Sequence, residues 1–151
     1  MGNGTADILV IEDNLGDQRL IREALRESRA MLHFVQDGEE ALRFLRRDGR
    51  FKTSRAPSII LMDLNLPKLS GREVLGEIKS DPELRCIPVV IFTSSRSEQD
   101  VLHAYNCHAN CYVTKPVDLD GFMEAMRSIE SFWLSVAQLP PPAQPLKKDS
   151  D

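Results

Sequence analysis

Three carboxylates and one lysine are the residues of this chain best placed to do chemistry, because each follows a short apolar segment. Glu12 and Asp13 follow one such segment, Asp63 follows another, and Lys115 follows a third, directly before Pro116. If these segments are parallel strands of one sheet, the four side chains meet at its carboxyl edge, where open α/β folds bind their ligands. Carboxylate oxygens suit a hard divalent cation, and an ammonium group neutralises phosphoryl oxygens. The pattern therefore predicts a site for a divalent cation and a phosphoryl group.

Each of these residues also has an ordinary structural interpretation. Asp63 could simply end a strand, and Lys115 could be a solvated lysine before a turn proline. Thr93 could be no more than a β-branched strand residue. The functional interpretation is favoured because Glu12-Asp13, Asp63 and Lys115 occur at equivalent positions, each after a separate apolar segment.

Two alternating periodicities predict the elements that position these residues. Short continuous apolar runs, typical of strands buried on both faces, alternate with segments whose apolar residues recur at helical spacing. Strands are predicted at 8–11, 32–35, 59–62, 89–92 and 111–113. A helix follows each strand, with Ser97 and Asp118 as the predicted N-caps of the fourth and fifth helices. Five strands alternating with five helices predict a doubly wound parallel α/β sheet.

Length and composition predict one globular domain. The chain has 151 residues, of which 42% are hydrophobic and 28% are charged. We expect the domain to cover residues 6–137, with the fifth helix extended through 130–137. Residues 138–151 are rich in proline and lack periodic apolar residues, so we expect an extended or disordered tail. No output domain is expected after it.

Charge and cysteine content exclude several classes of protein. A net charge of -4 gives no basic field for a nucleic acid backbone. The apolar runs are far shorter than the ~20 residues that a membrane helix needs. The three cysteines, Cys86, Cys107 and Cys111, are too few and odd in number for a disulfide framework. We therefore expect a cytoplasmic protein with free thiols, which binds neither nucleic acid nor membrane.

A second group of side chains offers zinc-ligand chemistry. It comprises His103, Cys107, His108 and Cys111. The interpretation that we favour is structural, since Cys111 opens a predicted strand while the other three lie on or just after a helix and point in different directions.

Four motifs, in this order and spacing, resemble the receiver domain of bacterial two-component response regulators. The resemblance runs from about residue 7 to residue 129, and it implies a flavodoxin-like sheet with strand order 2-1-3-4-5. The motifs are Glu12-Asp13, Met62-Asp63-Leu64-Asn65-Leu66-Pro67, Phe92-Thr93-Ser94 and Tyr112-Val113-Thr114-Lys115-Pro116.

The resemblance implies a role for each site residue. Asp63 would be the nucleophile that accepts a phosphoryl group from a histidine kinase, with Lys115 neutralising the transferring oxygens. Mg²⁺, or Mn²⁺ in its place, would be held by Asp13, Asp63 and the carbonyl of Asn65, with Glu12 acting through ordered water. Phosphorylation and dephosphorylation would be self-catalysed rather than the work of a separate enzyme activity.

The resemblance also implies a conformational switch. The Thr93 hydroxyl would donate to the new phosphoryl oxygens and Tyr112 would move inward with it, repacking the surface formed by the fourth helix, the fifth strand and the fifth helix. A cis peptide bond is implied before Pro116, which would aim Lys115 into the site. Asp17 is assigned no role, because it reads as a solvated residue near a helix start.

The apolar end of the fifth helix predicts an interface. Phe132, Trp133 and Leu134 are consecutive and cannot all face one core from a helix, so at least one is exposed, covered by the tail or covered by a partner. Together with Tyr105 they are the predicted interface residues. Together with residues 63–67 and 71–75, this segment is similar to single-domain regulators that pair with phytochrome-type histidine kinases. That resemblance implies a symmetric homodimer through the face from the fourth to the fifth helix.

Three other functions remain open. The chain could be an intermediate carrier in a multistep phosphorelay. An aspartate-nucleophile phosphatase would share the aspartyl phosphate, but it needs a second aspartate where this chain has Asn65. A flavin-binding module could share the fold, yet the acidic loop after the first strand would repel a cofactor phosphate.

Overall fold

The computed structural model describes residues 5–141 and has the predicted alternation of strands and helices. The strands are β1 (Asp7–Ile11), β2 (Met31–Val35), β3 (Ile59–Met62), β4 (Val89–Thr93) and β5 (Cys111–Thr114). The helices are α1 (Leu15–Ala24), α2 (Gly38–Arg46), α3 (Gly71–Ser80), α4 (Glu98–Asn106) and α5 (Leu119–Ser131). All strand pairs are parallel and their order is β2-β1-β3-β4-β5, which confirms the predicted fold and strand order.

The alternating side chains of the central strands build two cores, one on each face of the sheet. Leu9 and Ile11 of β1 lie in one core with apolar residues of α2, α3 and α4. Ile8 and Val10 lie in the other core with apolar residues of α1 and α5. Burial on both faces explains why β1, β3 and β4 read as continuous apolar runs in the sequence.

A polar side chain caps the N-terminus of each helix. Every cap accepts a hydrogen bond from a backbone N–H in the first turn, which satisfies one of the donors that a helix start leaves unpaired. The two predicted caps, Ser97 and Asp118, are both present. The full set is Asn14, Asp37, Ser70, Ser97 and Asp118. The caps fix where each helix leaves the carboxyl edge of the sheet.

The end of the fifth helix changes geometry after its last regular residue. α5 ends at Ser131, Phe132–Val136 form a π-helical turn, and Ala137 has an extended backbone. Phe132 is 49% exposed, whereas Trp133 and Leu134 are partly buried against the core on the α1–α5 face. Most of the predicted tail, residues 142–151, lies outside the described residues. None of the helices in the described range is long and apolar enough to cross a membrane.

Candidate functional site

The predicted site residues come together at the carboxyl edge of the sheet because four strands end there side by side. Glu12 directly follows β1, Asp63 directly follows β3, and Lys115 directly follows β5. Thr93 is the last residue of β4. The parallel order places these ends next to one another, so residues that are far apart in the sequence share one buried cluster.

Lys115 is the centre of this cluster. Its Nζ atom donates hydrogen bonds to Oε1 of Glu12 at 2.6 Å, to Oδ2 of Asp17 at 2.7 Å and to Oδ2 of Asp63 at 2.8 Å. Its side chain is only 7% exposed. A buried ammonium group therefore uses all three of its donors on carboxylates, the arrangement that charge burial requires.

Asp17 is the member of this cluster that sequence reasoning missed. It lies in the first turn of α1, where its backbone N–H donates to the Asn14 cap at 2.9 Å. That turn starts directly beyond β1 and so places the Asp17 carboxylate over the sheet edge. The usable signal was its position in the first helical turn after the acidic pair, but that position alone is also typical of an ordinary helix start.

The charges of the cluster are not balanced by Lys115 alone. Burial lowers the pKa of Lys115, but hydrogen bonds to Asp17, Asp63 and Glu12 outweigh that effect and raise it above its usual value. Burial raises the pKa of Glu12 to about 7, despite the opposing effect of Lys115. Three carboxylates share one ammonium, so a further cation would stabilise the ionised form of Glu12.

Both carboxylate oxygens of Asp63 are held in place. Oδ1 accepts the Thr93 hydroxyl at 2.7 Å and the backbone N–H of Asn65 at 3.0 Å, while Oδ2 accepts Lys115. Thr93 has no exposed surface and Asp63 is 6% exposed. The carboxylate is thus ringed by donors, which is the environment that negative charge on a transferred phosphoryl group would need.

The loop that carries Asp63 is packed tightly against the start of α3. The backbone N–H of Gly71 donates to the carbonyl of Leu64 at 2.9 Å. A Cβ atom at Gly71 would overlap the carbonyl oxygen of Asp63 and the Cα atom of Leu64. Glycine is required here for this close approach rather than for an unusual backbone angle.

The predicted metal ligands are oxygen donors, but they do not form a ready-made cage. Asp13 and Asn65 are exposed, while Glu12 and Asp63 are buried and bound to Lys115. Within residues 5–141 no three or more His, Cys, Asp or Glu side chains are grouped to hold an ion. The set of donors still fits a hard divalent cation, because such ions prefer oxygen and three carboxylates of the cluster share one ammonium group.

The histidine and cysteine residues do not form such a group either. His103 Nε2 on α4 and Cys107 Sγ, directly after that helix, lie 3.5 Å apart, and the described chain offers them no third ligand of these types. Cys86, Cys107 and Cys111 are all free thiols. The favoured structural interpretation of this segment is consistent with that arrangement.

Tyr112 points toward the loop after β4. Its hydroxyl donates to the carbonyl of Ser95 at 2.9 Å. Its backbone N–H donates to the hydroxyl of Tyr105 at 3.1 Å, which joins β5 to α4. Tyr112 and Thr93 therefore lie on neighbouring strands and both contact the region where β4 ends.

The expectation of a cis peptide bond before Pro116 is wrong for this structure. The described residues contain no cis peptide bond, so the bond from Lys115 to Pro116 is trans. The physical reason is that the trans form, which an X–Pro bond prefers, already lets the Lys115 side chain reach its three carboxylates. Aiming the lysine needs no isomerisation here.

Comparisons with known proteins agree with this geometry. Response regulator Rcp1 of Synechocystis sp. is 46% identical over 135 residues, which cover 88% of this chain and 92% of Rcp1. The crystal structure of the phosphorylated cyanobacterial phytochrome response regulator RcpA has a TM-score of 0.90 and 47% identity, and it covers 91% of this chain and 100% of RcpA. The Mn²⁺-bound form of Rcp1 has a TM-score of 0.87 and 45% identity, over 90% of this chain and 99% of that one.

The family assignment follows from a match over most of the chain. The model of the response regulator receiver domain matches residues 8–127. This range includes all five strands apart from the first residue of β1, and it extends into α5 as far as residue 127. Proteins of this family work with sensor histidine kinases in two-component signalling. With the buried cluster of Asp63, Thr93 and Lys115 at the sheet edge, the chain belongs to the response regulator receiver domain family.

Proposed function

We propose that Asp63 accepts a phosphoryl group from a sensor histidine kinase. The observation that carries the proposal is the ring of donors around its carboxylate, formed by Thr93, the Asn65 N–H and Lys115. In the transfer, a carboxylate oxygen of Asp63 forms a bond to phosphorus while the bond from phosphorus to the kinase histidine nitrogen breaks. The electron pair of that bond returns to the imidazole ring, and the product is an acyl phosphate.

The donors that now bind the carboxylate would then serve the phosphoryl group. Its oxygens carry more charge than the carboxylate, so the Thr93 hydroxyl and the Lys115 ammonium would turn to them as acceptors. Movement of Thr93 would leave space that Tyr112, on the neighbouring strand, occupies. Because Tyr112 contacts Ser95 and Tyr105, the change would reach the surface formed by α4, β5 and α5.

A divalent cation completes the site in this proposal. Mg²⁺, or Mn²⁺ as in the bound form of Rcp1, would be held by Asp13, Asp63 and the carbonyl of Asn65, with Glu12 acting through water. The cation would neutralise charge on the phosphoryl oxygens during transfer. The excess of carboxylates over ammonium groups in the cluster supports this assignment.

The same residues would let the protein catalyse its own phosphorylation and dephosphorylation. Phosphoryl transfer from a small molecule needs only a nucleophile, a cation and aligned hydrogen-bond donors. The chain would present all three once the metal is bound. The protein would therefore be a phosphoacceptor with self-catalysed chemistry, not a separate enzyme.

The proposed partner is a phytochrome-type histidine kinase. This rests on the similarity to RcpA, whose structure is named for a cyanobacterial phytochrome. We also propose that residues 6–137 are the receiver domain and that it acts in the cytoplasm, where its three free thiols would stay reduced.

The proposed assembly is a homodimer through the surface formed by α4, β5 and α5. Phe132 and Tyr105 are 49% and 47% exposed, more than large apolar or aromatic side chains usually are on an isolated domain. Sedimentation of the wild type and of Phe132→Glu would test it, with Leu15→Glu on α1 as the control, since Leu15 is also exposed. A wild-type dimer lost only in Phe132→Glu supports the proposal; a monomeric wild type, before and after phosphorylation, contradicts it.

Intact mass spectrometry tests the chemistry. The wild type, Asp63→Asn and the control Asp120→Asn, an exposed carboxylate on α5, would be incubated with acetyl phosphate with and without Mg²⁺. We expect one Mg²⁺-dependent phosphoryl adduct on the wild type and on Asp120→Asn, and none on Asp63→Asn. An adduct on Asp63→Asn would show that another residue is the acceptor.

A further inference from the structure

An ion pair joins α3 to α4 on the side of the sheet edge that faces Tyr112. Arg72, the second residue of α3, binds Oδ1 of Asp100 on α4 through its Nη2 atom. The Arg72 side chain is 38% exposed and that of Asp100 is 19% exposed. The pair is partly shielded from water, so it holds its geometry better than a fully exposed pair.

Asp100 also holds the loop between β4 and α4. Its other carboxylate oxygen, Oδ2, accepts the Ser95 hydroxyl at 2.5 Å. The Ser95 hydroxyl in turn accepts the backbone N–H of Ser97 at 3.3 Å. Hydrogen bonds from Ser95 and Arg72 keep the pKa of Asp100 below its usual value, so its carboxylate is charged at neutral pH. Arg72 therefore helps to hold the Ser95 side chain in place through Asp100.

The carbonyl of this same Ser95 is the acceptor for the Tyr112 hydroxyl, at 2.9 Å. Tyr112 can make this bond only while the loop presents that carbonyl toward β5. Asp100 and Tyr105 both lie on α4, and Tyr105 accepts the Tyr112 N–H. The position of α4 therefore sets both hydrogen bonds of Tyr112.

The other end of the connection is the loop that carries Asp63. Arg72 directly follows Gly71, whose N–H is bonded to the carbonyl of Leu64, the residue after Asp63. Two contacts thus lead from the Asp63 loop to α3 and from α3 to α4 without passing through Thr93.

We propose that Arg72 and Asp100 are positioning residues that connect the Asp63 loop to Tyr112, and that their ion pair favours the position in which the Tyr112 hydroxyl donates to the carbonyl of Ser95. The effect on signalling rests on the function proposed above, whereas the effect on Tyr112 does not. This connection between the Asp63 loop and Tyr112 is separate from the one that begins with the hydrogen bond from Thr93 to Asp63.

Fluorine NMR of fluorotyrosine-labelled protein tests the proposal, because the chain has only two tyrosines. The variant Tyr112→Phe removes one of the two resonances and so assigns it to Tyr112. The test variants are Arg72→Ala and Asp100→Asn. The matched control is Arg46→Ala, which removes an ion pair between α2 and α3, away from Tyr112, whose arginine is about as exposed as Arg72.

We expect the Tyr112 resonance to move in both test variants and to stay in place in the control. The ratio of Tyr112 bonded to the Ser95 carbonyl to Tyr112 released from it should fall about two- to fivefold, the size typical of a partly exposed ion pair. Arg72→Lys, which keeps the charge, should restore part of the wild-type position. A Tyr112 resonance that moves no further in Arg72→Ala and Asp100→Asn than in Arg46→Ala would overturn the proposal.

Acetyl phosphate added to the same samples separates this proposal from the proposed function. If Asp63 takes up a phosphoryl group in the wild type and in Arg72→Ala but Tyr112 is unaffected by the substitution, the positioning role is overturned and the function stands. If Asp63 takes up none while Tyr112 moves in Arg72→Ala, the proposed function fails and the connection to Tyr112 is supported.

Discussion

Asp17 accepts a hydrogen bond from Lys115 at 2.7 Å, although the two residues are 98 positions apart in the chain. Lys115 therefore divides its three donors among Asp17, Glu12 and Asp63. These three carboxylates orient the lysine into the site, and Asp17 is one of them.

Replacing Asp17 should weaken the site in a measurable way. Asp17→Asn keeps the shape of the side chain but removes its charge, so we expect the free energy of unfolding to fall by about 1 kcal/mol. The control is Glu23→Gln on the same helix, whose ion pair with Arg26 is highly exposed and should matter little. Urea unfolding in metal-free buffer measures both, and equal stabilities for the two variants would contradict the role given to Asp17.

Removing the ammonium group should be far more costly, and the cost should depend on pH. Lys115→Met leaves buried carboxylates without a partner, so we expect a loss of about 3 kcal/mol near neutral pH. Burial already raises the pKa of Glu12 to about 7 in the wild type. A carboxyl with a raised pKa holds its proton more tightly when folded, so its contribution is complete below its usual value of 4.5 and is lost as pH rises through about 7.

The expected pH dependence of Lys115→Met stability follows from the raised pKa of Glu12. Without the ammonium, the pKa of Glu12 should rise further, and the cost of the substitution should shrink as pH falls toward about 5 and the Glu12 carboxyl becomes neutral. Urea unfolding of the wild type and Lys115→Met across this range measures it. A cost that does not change with pH would mean that lost packing, rather than charge, destabilises the variant.

Two glycines on α3 provide a matched pair for the close approach at Asp63. Gly71→Ala would place a Cβ atom against the Asp63 carbonyl, so we expect it to destabilise the fold by about 2 kcal/mol. Gly76→Ala lies on the same helix in open space, and it should stabilise the fold by up to about 1 kcal/mol through helix propensity. Thermal and urea unfolding compare the two, and a stabilising Gly71→Ala would show that the loop moves freely.

A divalent cation should stabilise the folded protein. With Mg²⁺ at about 100 times its dissociation constant, linkage predicts a gain of about 2.7 kcal/mol. Asp13→Asn should lose most of this gain, whereas Asp120→Asn, an exposed carboxylate on α5, should keep it. Unfolding with and without Mg²⁺ measures the gain. The same gain in Asp13→Asn as in the wild type would remove Asp13 from the proposed ligand set.

Much of the architecture could be predicted because its signals are local. The strands that are buried on both faces read as apolar runs, and Ser97 and Asp118 mark helix starts through bonds that span three residues. Residues directly after a parallel strand must lie at the carboxyl edge, so Asp63 and Lys115 were placed correctly. The limits of the local signal show at Phe132–Val136, where the predicted helical extension is a π-helical turn.

The sequence by itself therefore determined the order of the elements, the fold and the edge at which the acidic residues and the lysine meet, since each depends on neighbours along the chain. Only the tertiary structure decided that Asp17 joins them, that Lys115 reaches its carboxylates with a trans bond before Pro116, and that an ion pair between Arg72 and Asp100 joins α3 to α4. These relations depend on how separate elements pack against one another. No short window of sequence carries that information, because their partners lie tens of residues apart.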